Sequence, residues 1–87
     1  MALSKKAAKE IASLVNSIMV SEAMGAAAKA KGDKADTTMW RVASYARMIE
    51  LADKYGIELP GLPAVREALP RQKVYYYKVR TERWNSR

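Results

Sequence analysis

Apolar residues recur along this chain at steps of three and four, the spacing of one face of an α-helix. Between Thr37 and Tyr55, Met39, Val42, Ala46, Ile49, Ala52 and Tyr55 share one side, and Arg41, Arg47, Glu50, Asp53 and Lys54 fall mostly on the other. Trp40 lies on the rim of the apolar face and reads as a core anchor. Asp36, Thr37 and Thr38 are each suited to cap the first turn, because a short side-chain oxygen accepts from a backbone N–H left free there. Gly56 can enter the left-handed region that closes the last turn, with Ile57 folding back in a Schellman-type contact.

Upstream, Ser4 is a candidate N-cap, and Ala7, Ile11, Leu14, Val15 and Ile18 form a second helical stripe. Past Ile18 the apolar positions widen into Met19, Val20, Ala23, Met24, Ala27 and Ala30, with Gly25 among them. A glycine costs about 1 kcal/mol relative to alanine inside a helix. Ala26 to Lys31 are strong helix formers, so the pattern predicts one helix from Ser4 to about Lys31, ended by Gly32. Residues 31–36, KGDKAD, then form the linker that reverses the chain into an antiparallel helix pair. The Ala23, Gly25 and Ala27 cluster suits close packing on the neighbouring helix, and contact with a second copy in a homo-dimer is the alternative.

Downstream, residues 57–63, IELPGLP, read as a rigid connector, because two prolines flank a glycine. Pro63 can open a short helix, with Val65, Ala68 and Leu69 closing one end of the pair. Pro70 is expected to end it, since the residue before a proline avoids the helical region. Residues 71–87, RQKVYYYKVRTERWNSR, are rich in Val and Tyr, which favour extended backbone. A helix with Val74, Tyr77 and Thr81 facing inward is the alternative. The expected fold is all-α: a small antiparallel helical domain over residues 1–70, built from a long N-terminal helix, a central helix and a short third helix, with a basic extended C-terminal arm over 71–87.

Composition narrows the function. Eighty-seven residues make one small domain, which buries roughly 60–65% of its unfolded surface. A hydrophobic fraction of 49% argues against disorder, but much of it is alanine and there is no Phe, so the core is modest. The absence of Cys excludes disulfides and thiol chemistry, and the absence of His removes the commonest general base and metal ligand. Asp36, Glu50, Asp53, Glu58 and Glu67 are scattered. Glu50 and Asp53 lie beside Arg47 and Lys54 at the spacing of solvated ion pairs. No enzyme activity, cofactor or metal site is expected. Ile11 to Val20 is interrupted by Ser13, Asn16 and Ser17, and no apolar run approaches the roughly 20 residues that span a bilayer. A cytoplasmic protein with no membrane partner is the expectation.

The net charge of +7 is uneven. Residues 1–35 carry +3, residues 36–69 carry −1, and residues 70–87 carry +5. Cations neutralise phosphates and aromatic rings stack on unpaired bases. Arg71, Lys73, Lys78, Arg80, Arg83 and Arg87 are interleaved with Tyr75, Tyr76, Tyr77 and Trp84. In an extended arm, Tyr75, Tyr77 and Val79 would face one way, and Tyr76, Lys78 and Arg80 the other. This segment, with Lys5, Lys6 and Lys9, is the candidate binding surface for nucleic acid, in particular RNA or single strands with little sequence readout. Tyr and Arg are also enriched at protein interfaces. The alternative is therefore a small regulator, inhibitor or assembly adaptor docked on an acidic surface of a larger complex. Helix-turn-helix recognition of duplex DNA fits poorly, because residues 31–36 are too long for its turn.

Overall fold

Ser4 starts the first helix: its Oγ accepts from the Ala7 N–H at 3.0 Å. Helix α1 then runs Lys5–Ala30 without a break at Gly25. It ends in a full Schellman motif. Gly32 adopts φ 75°, its N–H donates to the Lys29 carbonyl, and the Asp33 N–H donates to the Ala28 carbonyl, both at 3.0 Å. The coordinates are a computed structural model that describes residues 4–85, with side chains for 4–82.

That motif moves the start of the next helix. It leaves Asp33 extended, so its carboxylate accepts from the Asp36 N–H at 3.0 Å and caps helix α2, Lys34–Tyr55. The expected caps at Asp36, Thr37 and Thr38 fall inside the helix instead, and the linker shrinks to residues 31–33. Thr37 and Thr38 donate their hydroxyls back to the carbonyls of Asp33 (2.6 Å) and Lys34 (2.8 Å). Gly56, at φ 65°, closes α2 with one bond from its N–H to the Ala52 carbonyl. This is the simpler left-handed closure rather than the Schellman contact expected with Ile57.

The third helix departs most from the sequence pattern. Helix α3 runs Leu62–Asn85, passing through Pro70 and through the segment expected to be an extended arm. A proline inside a helix loses one hydrogen bond and crowds the carbonyl four residues earlier, at about 3 kcal/mol. Here that carbonyl belongs to Arg66, and Pro70 and Arg66 are both exposed, so water can satisfy the carbonyl. Packing supplies the compensation. Leu62, Val65, Leu69, Gln72, Tyr76 and Val79 are the half-buried and buried stripe of α3, and it continues unbroken across the proline. The alternative inward set also fails: Val74 is 71% exposed and Tyr77 64% exposed. Burial of a continuous stripe outweighs the extended preference of the tyrosines and valines, because β-propensity is weak against tertiary contact.

All three helices follow alternating steps of three and four, the spacing of a left-handed coiled seam. The covered positions of α1 include Ala7, Ile11, Leu14, Ile18, Ser21, Gly25 and Ala28. They meet the Thr37, Trp40, Ser44, Leu51 and Lys54 side of α2. Gly25 sits against Trp40, and Glu10 pairs with Lys54 at 3.1 Å. The opposite side of α2 takes α3, as the Asp53–Arg66 pair shows. Among the described residues, helices α1 and α3 each pack on α2 and not on one another. The result is a three-helix antiparallel layer, 54 × 23 × 19 Å, with a radius of gyration of 15.0 Å. A globular chain of this length would have about 12 Å.

A layer has two uncovered edges. Among the described residues only Ala28, Ala35, Leu51 and Val79 are buried apolar side chains, and Leu51 alone is both large and fully buried. The outer side of α1 exposes Val15, Met19, Val20 and Met24. This corrects the expectation that no segment has membrane-like length and apolarity. By length and composition α1 is long and apolar enough to cross a membrane, and only 11% of its apolar window is buried. Ser13, Asn16 and Ser17 interrupt the apolar run but carry no charge, and Glu22 is the one charged residue between 11 and 28.

Candidate anion-binding surface

Helical geometry redistributes the basic and aromatic residues of the C-terminal segment. At 100° per residue, Arg71, Tyr75 and Lys78 lie on one flank of α3, and Lys73, Tyr77 and Arg80 on the other. The extended alternation of Tyr75 and Tyr77 on one side does not occur. Tyr76 turns toward α2 and is half-buried, and Val79 is buried. The Tyr76 and Tyr77 rings are 5.9 Å apart and tilted by 52°. Arg71 pairs with Glu67 at 3.3 Å on the exposed surface. Tyr75 and Tyr77 remain 42% and 64% exposed. The side chains of Arg83 and Trp84, and Arg87 as a whole, lie outside the described residues.

Lys5, Lys6 and Lys9 do not join this surface. They occupy the first turns of α1 and are exposed. The Glu10–Lys54 pair fixes that end of α1 beside the end of α2, whereas Tyr75 stands by Thr38 and Arg41. From Lys54 to Arg41 is about 20 Å along the helix.

The structure brings other cations to Tyr75 that sequence reasoning passed over. Two shallow hollows lie side by side over the α1–α2 seam and share Lys29, Thr37 and Arg41. The larger, about 300 Å³, is walled by Gly25, Trp40, Ser44 and Tyr45. The smaller, about 260 Å³, is bounded by Lys34, Asp33 and Tyr75. Small residues at the seam let the two backbones approach and leave a gap beside the large rings of Trp40 and Tyr45. Trp40 is half-buried at this groove rather than deep in the core. A sequence signal existed: Lys34 and Arg41 are seven residues apart, hence on one face, and the tight 31–33 turn folds Lys29 back beside them. Three cations here face two carboxylates, Glu22 and Asp33.

The local electrostatics are those of a wet surface. Arg66 donates from both terminal nitrogens to the Asp53 carboxylate. This hydrogen bonding holds the Asp53 carboxyl below its ordinary 3.8 and raises Arg66. The Lys54 ammonium lies 5.6 Å from the centre of the Tyr55 ring. Among the described residues, three buried oxygens have no hydrogen-bond partner: Ser44 Oγ, Tyr55 Oη and Gln72 Oε1. Each such group costs about 1–3 kcal/mol, and Ser44 lines the α1–α2 groove. Among the described residues no three acidic groups converge to hold a metal ion. Comparison with protein-family models, with curated proteins and with solved structures finds no match to this chain.

Proposed function

We propose that this protein is a small, non-enzymatic, cytoplasmic nucleic-acid binder that takes RNA or single strands with little sequence readout. The observation that supports this reading is the pairing of exposed rings with cations on both flanks of α3. Tyr75 is bracketed one turn away by Arg71 and Lys78, and Tyr77 by Lys73 and Arg80, with the two rings 42% and 64% exposed. An exposed ring stacks on an unpaired base, and the neighbouring cations neutralise its phosphates. On the Tyr75 flank the surface continues into Lys29, Lys34 and Arg41, so one strand can meet five cations.

Fluorescence anisotropy with labelled single-stranded RNA over a salt series tests the reading. Five neutralised phosphates predict a slope of log affinity against log salt of about −3.5. Tyr75→Ala should weaken binding about 5- to 150-fold, the worth of one stacked base, with Tyr75→Phe near the parent. Absence of binding at low salt rejects the reading.

A second reading, docking on an acidic surface of a larger protein, draws on one specific feature. Val74, 71% exposed, and Tyr77 form an apolar ridge on α3 that a phosphate backbone does not need. In that case binding would survive moderate salt and depend on one anchor, with Tyr77→Ala removing most of it.

A further inference from the structure

The outer face of α1 is the largest feature that nucleic-acid binding leaves unused. Ser21, Gly25 and Ala28 turn toward α2. The half of the helix opposite them, from Ala12 to Ala30, presents Met19, Val20, Ala23 and Ala27, with Asn16 among them and the exposed Glu22 on its rim, one turn from Met19 and Ala26. Met19 is 63% exposed, and Val15, Val20 and Met24 are each more than 40% exposed. A contiguous apolar surface of this kind marks a docking site. Its ends carry charge of one sign: Lys5, Lys6 and Lys9 before it, Lys29 and Lys31 after it, all exposed.

The charges choose the occupant. A second copy laid parallel would set lysines against the same lysines. Laid antiparallel, it would set Lys5 and Lys9 against Lys29 and Lys31. Either register places like charges together at both ends. An anionic lipid surface has no such conflict: the apolar face enters among the acyl chains while the lysine stems reach back to the phosphates. The seam with α2 decides the orientation. α2 covers the full length of α1 and exposes Arg41, Glu50, Asp53 and Lys54, which hydrocarbon would exclude. α1 therefore lies in the plane of the interface rather than across it. We infer that the outer face of α1 is a docking surface for an anionic membrane, with Met19 and Val20 inserted below the headgroups, Val15 and Met24 on its two rims, and the terminal lysines on lipid phosphates. α3 lies on the far side of α2 and stays free, so this site and the nucleic-acid reading share Lys29 alone.

Co-sedimentation of the full chain with phosphatidylcholine vesicles, with and without one-quarter phosphatidylglycerol, tests this. The expected result is binding to the anionic vesicles, at least tenfold weaker binding to the neutral ones, and about fivefold loss for each lysine removed, as in Lys5→Gln. Met19→Glu should abolish vesicle binding while leaving the melting curve and the RNA titration unchanged, because Met19 is exposed. Tyr75→Ala should leave vesicle binding unchanged. Three results overturn the proposal: no sedimentation with anionic vesicles at low salt; equal binding by Met19→Glu; or a dimer in light scattering that Met19→Glu converts to monomer. The last would assign the face to a second copy.

Discussion

The two seams that flank α2 use the same three-four spacing with different side chains. On the α1 side, the half near the turn is built from Ser21, Gly25 and Ala28 against Thr37 and Ser44, and the far half from Ile11, Leu14 and Ile18 near Leu51. On the α3 side, Leu62, Val65 and Leu69 are followed by Gln72, Tyr76 and Val79. Small residues allow close approach but bury little area, so that half is held by fit rather than by hydrophobic burial. Larger residues bury more and tolerate a proline within the stripe. The exteriors diverge as well: α1 keeps its charges at its ends apart from Glu22, and α3 carries them along its length.

The most damaging single change should be Leu51→Asp, which places an unpaired charge at the one large side chain that is fully buried. Cooperative melting by circular dichroism should vanish. Leu51→Ala should cost about 2–5 kcal/mol, a large share of the roughly 5–15 kcal/mol available to a small domain. A parent-like melt for Leu51→Asp would refute this packing.

Removal of residues 71–87 comes next. It strips Gln72, Tyr76 and Val79 from α2 and should lower the melting temperature while the α1–α2 pair stays helical. Val79→Ala reproduces part of that loss, about 2 kcal/mol in denaturant titration. An unchanged midpoint for both would show that α3 past Pro70 contributes nothing to the layer.

Gly25 probes the small-residue seam. A Cβ there would lie 3.4 Å from the Trp40 Cβ and 4.0 Å from the Thr37 carbonyl, so alanine fits. Gly25→Ala should raise stability by about 0.5–1 kcal/mol through helix propensity, and Gly25→Leu should lower it by forcing the helices apart. Stabilisation by both would mean that the seam is loose.

The smallest effect belongs to the Asp53–Arg66 pair. The folded carboxyl titrates below its ordinary 3.8, so its contribution is present above that value and is lost as pH falls through the lower folded one. Both partners are exposed, so the shift in melting temperature should be slight, and Arg66→Ala should remove this acid-dependent component. A large acid-dependent shift that Arg66→Ala abolishes would show a much stronger pair than an exposed one should be.

Much of the all-α layout was legible from spacing and caps. The Ala7, Ile11, Leu14 and Ile18 stripe, the cap at Ser4 and the stop at Gly32 reflect local rules of helix formation, which the nearest few residues satisfy. The seam positions Ser21 and Ser44 were not legible, because small polar side chains carry no hydrophobic signal although they mark the closest approach; Gly25 was legible as a close-packing position, whereas Ala23 and Ala27 beside it are exposed. The cation set at Tyr75 was missed for a related reason. Lys29, Lys34 and Arg41 meet it only because α3 runs back along α2.

The sequence by itself determined three things: helices over most of the chain, the reversal of the chain after the first helix at Gly32, and a charge excess at the C-terminal end. Backbone hydrogen bonding, capping and side-chain periodicity are local, so composition and spacing suffice for them. Tertiary structure alone decided the course of residues 71–85 and the two faces of α2. Tyr75, Tyr76, Tyr77 and Val79 prefer extended backbone when alone. Burial of Tyr76 and Val79 against α2 outweighs that preference, and only a neighbour distant in sequence can supply that burial.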